Sequence, residues 1–177
     1  MGAELMARFK MARTGVAAGL TARMLNNTAR EVAEQVGLFW HRNYLDKHFT
    51  RSGAREYGYE PRSGEKGSGR RFQGSYMERK WKKYGHGNPL EFSGESHQWL
   101  KFPRIKTSAT GGIAKMRIML GAPNFNRFGS GTHTNSKVDL AHDITAVLPS
   151  EINAMAEFAR DEFIRRYKSL RGSRSAA

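Results

Sequence analysis

WLKFPRIKTSATGGIAKMRIML, residues 99–120, decides the fold. In its second half Ile113, Met116, Ile118 and Leu120 stand among small or charged residues, the alternation of a half-buried strand. Ahead of it, Ala109-Thr110-Gly111-Gly112 is a turn signal. Trp99–Thr107, carrying Leu100, Phe102 and Ile105, reads as the partner strand. The stretch predicts a β-hairpin, and a sheet this small needs helices to cover it.

Helical patterns flank the hairpin on both sides. Leu5, Phe9, Val16, Leu20 and Met24 fall near one helical face, with Thr14-Gly15 weakening the run and Asn26-Asn27 ending it. A second run, Ala29–Phe49, is apolar on two sides: Val32, Val36, Phe39, Trp40 and Tyr44 on one, Leu38, Leu45 and Phe49 on the other. Such a helix is sandwiched between layers or meets another subunit. Ile144–Leu148 reads as a short strand. Ser150 then caps a last helix with Glu151 in its first turn. Its stripe is Ile152, Met155, Ala156, Ala159, Phe163, Tyr167 and Leu170, and RGSRSAA frays after it. The expected class is α+β: a small antiparallel sheet with helices packed on one face and a long extended basic arm. A single domain spans 1–170 with the arm inserted at 50–88, and 171–177 form a flexible basic tail.

The chain has 177 residues, enough for one domain with a core. Its 30 Lys+Arg against 16 Asp+Glu give a formal charge of +14, a field that attracts polyanions or an acidic protein surface. Cysteine is absent, which removes disulfides and thiolate metal sites. No apolar run is long enough for a membrane span, and the N-terminus lacks a signal-peptide core. A soluble intracellular product is expected.

Catalytic patterns are missing. His41 and His48 are seven apart, about two helical turns, but no further ligand accompanies them, and HExxH is absent. Gly67-Ser68-Gly69 lacks the P-loop spacing, and Ser93 in FSGES lacks the GxSxG elbow. A metal-dependent nuclease would need His133 and His142-Asp143 to meet in space. No catalytic residue, cofactor or metal is expected, and the chain is read as no enzyme.

The arm carries the strongest signal. Arg70-Arg71-Phe72 and Arg79-Lys80-Trp81-Lys82-Lys83-Tyr84 interleave cations with rings. Cations neutralise phosphates and rings stack on bases. The same residues anchor protein interfaces, and they also suit a solvated loop whose rings cover the domain's own core. Arg165, Arg166 and Lys168 are further candidates for facing DNA, with Arg70 and Arg71.

Tyr57-Gly58-Tyr59, Tyr76, Arg79-Lys80, Lys82-Lys83, Gly85-His86, Pro89-Leu90 and Phe92-Ser93-Gly94 together resemble a signature of tailed-bacteriophage morphogenesis proteins. Asp143–Glu151 is similar to that family's strand-to-helix close. The resemblance covers roughly residues 50–170 and points to the neck and tail-completion group, which joins head to tail. The 121–136 loop departs from it. The resemblance implies a structural virion protein at the head-tail interface or tail, assembled in the host cytoplasm. Copies would form a ring around the portal axis and bind neighbouring connector and tail proteins, with nonspecific contact to genomic DNA and none to membrane. A ring needs head-to-tail interfaces that close. The arm would order across a neighbour, through Tyr57, Tyr59, Phe72, Tyr76, Arg79, Lys80, Trp81, Lys82, Lys83, Tyr84, Pro89, Leu90 and Phe92. The alternative is a sequence-nonspecific nucleic-acid-binding protein.

Overall fold

The computed structural model describes residues 4–10, 21–61, 73–90, 93–120 and 140–175. The chain divides into two compact units interleaved along the sequence. One takes Leu5–Asn43, Pro103–Met119 and Val147–Ala177; the other takes Met1–Glu4, Tyr44–Phe102 and Leu120–Ala146. By its described residues the first is an α+β unit and the second a helical one.

The hairpin founds the first unit. β2 (Ile105–Thr110) and β3 (Ile113–Met119) pair antiparallel, with Ile105 opposite Ile118 and Thr110 opposite Ile113. Gly111 and Gly112 have φ of 60° and 76°. A two-residue primed turn demands positive φ at both central positions, which glycine adopts without steric cost. A third strand, β1 (Glu4–Lys10), joins on the far side, in the order β1-β3-β2. The class is therefore α+β with a small antiparallel sheet. β1 corrects the expected N-terminal helix. Leu5 and Phe9 suit a helical face, but Leu5, Ala7 and Phe9 also alternate, and pairing with the hairpin satisfies the backbone. Val16 and Leu20 lie outside the described residues.

α1 (Ala22–Tyr44) covers one face of the sheet. It buries Leu25, Ala29, Val32, Ala33, Val36 and Trp40. Asn26-Asn27 does not break it. The Asn26 side chain accepts from the N–H of Gly112 at 3.1 Å, pinning the hairpin turn to the first turns of the helix. At Gly37 the helix comes close to the strands: a Cβ there would lie 2.8 Å from Met116 Sδ and 2.9 Å from Ile105 Cδ1.

α6 (Pro149–Ser175) begins at Pro149, whose fixed φ suits a first helical position, so Ser150 lies inside the first turn and not at the cap. Its buried face also differs from the expected stripe. Glu151, Met155, Ala159, Glu162 and Tyr167 are buried, while Ile152 is 55% exposed. The Trp40 indole N–H donates to the Glu151 carboxylate at 3.1 Å, which turns that side of the helix inward. Phe39 stacks on Phe158 at 4.5 Å between ring centroids. The helix continues to Ser175, through most of the segment expected to fray.

The described residues of the second unit form short helices. A 3-10 turn (Leu45–Phe49) leads to α2 (Arg51–Glu56), then come α3 (Tyr76–Tyr84), α4 (Glu95–Leu100) and α5 (Leu140–Thr145). Trp99 and Leu100 therefore close a helix and do not open a strand. Ile144, fully buried, lies in the last turn of α5, and the strand expected at 144–148 does not form. The extended arm is corrected as well. The described part of 50–88 is α2, α3 and turns; Thr50 caps α2 by accepting from the Gly53 N–H at 3.0 Å. The 121–136 loop lies outside the described residues.

The close approach at Gly37 leaves no room for a larger side chain. Gly37→Leu is expected to destabilise the protein by about 1–3 kcal/mol through overpacking. Gly37→Ala, whose Cβ would meet Met116 Sδ at 2.8 Å and Ile105 Cδ1 and Cγ2 at 2.9 and 3.1 Å, should destabilise it by less, about 1 kcal/mol. Urea unfolding of both variants measures the difference.

Candidate functional site

The residues of GSYMERKWKKYGHGNPL, 74–90, fold on a reciprocal cap. Ser75 stands before α3 with extended backbone and accepts from the Glu78 N–H at 3.1 Å. Glu78 reaches back and accepts from the N–H of Gly74. This S-x-x-E arrangement satisfies two N–H groups that would otherwise lack partners. Lys82, one turn on, pairs with Glu78 at 2.8 Å. The Lys82 ammonium, and then the Gly74 amide, hold the Glu78 carboxyl below its ordinary range. Gly85 ends the helix in the left-handed region at φ 71°, its N–H returning to the Trp81 carbonyl.

The capped helix has two sides. Met77 and Lys80 point into the unit and are buried. Lys80, 1% exposed, was expected at a partner interface. Instead its ammonium donates to the Asn88 carbonyl and lies 5.6 Å from the Tyr76 ring centre. The aliphatic stem packs while the charge finds an oxygen and a ring face. The turn that follows is also drawn inward. Pro89 and Leu90 are buried, and Leu90 holds φ 52°, a left-handed conformation costly to a branched side chain. These residues therefore serve the unit's own core, which corrects the assignment of Lys80, Pro89 and Leu90 to a partner surface.

The outward side keeps Arg79, Trp81, Lys82 and Lys83 exposed. Trp81 is 44% exposed, and the Arg51 guanidinium of α2 lies 5.6 Å from its ring centre. Arg51 also crosses Gly87, where a Cβ would fall 2.2 Å from its Nη2. The Lys83 ammonium is 5.2 Å from the Tyr84 ring, which tilts toward His86. The arrangement is a half-exposed indole framed by cations on a helix fixed at both ends. Phe72, Phe92, Arg70 and Arg71 lie outside the described residues.

Tyr57 and Tyr59 enclose His48, which the sequence offered only as one of a pair with His41. His48 is fully buried, stacks on Tyr57 at 4.0 Å between centroids, and shares a hydrogen bond between Nδ1 and the Tyr59 hydroxyl. Burial pushes its pKa down to about 4, and a backbone hydrogen bond with Asp143 opposes the shift. The signal available was a histidine three residues past Leu45, followed by Tyr-Gly-Tyr. Nearby, His97 of α4 stacks on Phe49 and pairs with Asp46 at 2.9 Å. Among the described residues no three His, Cys, Asp or Glu side chains are grouped to hold a metal ion. His142 lies 3.9 Å from the Asp143 carboxylate; His133 lies outside the described residues.

Arg165 and Arg166 belong to the α+β unit and are engaged with carboxylates. Arg165 donates twice to Glu162, at 2.9 and 2.6 Å; Arg166 donates to Glu162 at 2.7 Å and to Glu31 of α1. The two guanidiniums, Arg165 first, hold the Glu162 carboxyl below its ordinary range. They line a cleft of about 430 Å3 with Met24, Asn27, Thr28 and Leu170. Lys168 is exposed.

His48 gives the helical unit a pH dependence with a definite sign. Its folded pKa lies below the unfolded value, so the unfolded chain binds more protons between about pH 6.5 and 4. Its contribution is intact above about 6.5 and declines as pH falls, by about 3 kcal/mol at pH 4. His48→Gln is expected to remove that slope, which unfolding curves across this pH range measure.

No protein-family model, curated protein or solved structure matches this chain.

Proposed function

We propose that this protein is a structural subunit of a tailed-bacteriophage neck or tail-completion ring, joining head to tail. The observation that carries this reading is Trp81: an indole left 44% exposed on a helix whose other side is buried, with Arg51 over its ring and Arg79, Lys82 and Lys83 beside it. Trp and Arg are the usual anchors of protein interfaces. The Ser75–Glu78 cap and the Lys80–Asn88 bond fix α3 beforehand, so docking loses little conformational freedom. The mechanism differs from an arm that orders across its neighbour, because the described residues of this segment already pack on their own unit. The resemblance of residues 50–170 to neck and tail-completion proteins supplies the context: copies of the chain and adjoining connector or tail proteins as partners. The protein's role is assembly and not catalysis.

Trp81→Ala is expected to weaken self-association about 30-fold or more, the scale of an interface anchor. The melting temperature of the dilute subunit should stay within a few degrees of the original, because the indole is half outside the core. Sedimentation across a concentration series, with images of the purified assembly, reads both results. Closed rings lost in the variant support the proposal. A wild-type chain that stays monomeric at high concentration with its purified neighbours present overturns it, as does a variant that unfolds.

A further inference from the structure

In the order β1-β3-β2, β2 lies at one edge of the sheet. The register decides which of its backbone groups face outward. Thr110 and Ile113 flank the two-residue turn, so they form a hydrogen-bonded pair, and such pairs recur at every second residue. The Met119 N–H donates to the Arg104 carbonyl at 2.9 Å, in phase with that count. Lys106, Ser108 and Thr110 therefore turn their N–H and C=O toward β3, while Ile105, Thr107 and Ala109 turn theirs away from the sheet. Among the described residues none of these three has a backbone partner on that side. Their side chains lie on the α1 side and are half-buried, whereas Ile118, Met116 and Ala114, directly opposite them on β3, are fully buried. The layer under α1 thus runs out half covered at this edge. Natural edges are blunted by a bulge, an internal proline or repeated charges. β2 pairs with β3 residue for residue, contains no proline and carries one charge, Lys106.

We propose that β2 is a docking edge for β2 of a second copy, the two strands running antiparallel about a two-fold axis at Thr107. With this axis all three outward residues of each copy are bonded. Thr107 pairs with Thr107, and Ile105 of each copy pairs with Ala109 of the other, giving about six N–H···O=C bonds. Thr107 against itself is a favourable cross-strand pair, and Ile105 and Ala109 cover each other. Lys106 falls beside Ser108 of the other copy; an axis one residue earlier would set Lys106 against Lys106. The two-fold stands perpendicular to the sheet, so both α1 helices fall on one face of a six-stranded sheet. The edge of β1 fits β2 less well. β1 exposes Arg8 and Lys10, which would come alongside Lys106 and repel it. The Trp81 interface belongs to the other unit of the chain, so neither conclusion rests on the other.

Sedimentation of the full chain carrying Trp81→Ala isolates this contact from ring assembly. A concentration-dependent dimer is expected. Adding Thr107→Pro should weaken it about 30-fold or more, since two outward N–H groups are lost per dimer. The circular dichroism spectrum should be retained, because the Thr107 N–H does not serve the β3 ladder. Cysteine, which the chain lacks, reads the register independently of that proline. Thr107→Cys should oxidise to a disulfide-linked dimer, its two Cα atoms about 5.5 Å apart. Ala109→Cys, on the same side of the strand, sets them roughly 14 Å apart and should remain reduced under the same mild oxidant. A Trp81→Ala chain that is monomeric at its highest attainable concentration overturns the proposal and leaves ring assembly standing. Equal cross-linking of the two cysteine variants overturns it too, as does a folded Thr107→Pro chain that dimerises undiminished.

Discussion

One hydrogen bond ties the α+β unit together: the Trp40 indole N–H on the Glu151 carboxylate, 111 residues apart and buried on both sides. Burying an indole stabilises by about 5 kcal/mol, but only if its N–H finds an acceptor. A carboxylate in the core is costly unless it is hydrogen-bonded. Each group answers the other's requirement, and the amino end of α6 adds a favourable field around the carboxylate. Because Trp40 is on α1 and Glu151 opens α6, the bond sets which side of the last helix turns inward. The stacked Phe39 and Phe158 extend the same seam. One turn before Trp40, Gly37 lets α1 press against Met116 and Ile105, so a few adjacent residues of α1 hold both the sheet and the second helix.

The same bond explains where sequence reading failed. A hydrophobic stripe through Ile152 and Ala156 is the natural choice for α6, because carboxylates count as surface residues. The inward face in fact contains Glu151 and Glu162, each satisfied by a distant or neighbouring donor, and Ile152 is left outside. The hairpin was legible since Gly111-Gly112 and the alternation after it are local signals. β1 was not, because seven residues with Leu5 and Phe9 satisfy both periods, and only pairing with a strand about a hundred residues away decides. Asn26 and Ile144 follow the same rule: a helix breaker kept inside a helix by the Gly112 amide, and a β-branched residue in a short buried helix.

In the helical unit the candidate site was partly legible. The rings and cations of 76–84 were legible as a candidate surface, but they lie on a helix and not on an extended arm. Its start is set by the reciprocal cap of Ser75 and Glu78. What composition concealed was the division of that helix into two sides. A lysine among lysines reads as solvated, yet Lys80 has Asn88 and Tyr76 within reach and its neighbours do not. Pro89 and Leu90 likewise turn into the unit because Gly85 reverses the chain at a left-handed residue. Trp81 is conspicuous by contrast, since it is exposed while Tyr76 and Tyr84 are half-buried and Met77, Pro89 and Leu90 are buried.

Charge is distributed on the same principle. An excess of +14 does not make every cation a ligand for something else. Glu78 holds Lys82, Glu162 holds Arg165 and Arg166, and Glu31 adds to Arg166. These acids stand one helical turn from their partners or across a helix pair, where side chains meet. Strands offer no such spacing: neighbours on one face are two residues apart or directly across the ladder. The sheet places Lys106 opposite Arg117 and Lys115 opposite Ser108, with no carboxylate in either position. Among the described helices acids meet cations at one-turn spacing, whereas the hairpin register sets Lys106 and Arg117 side by side on one face.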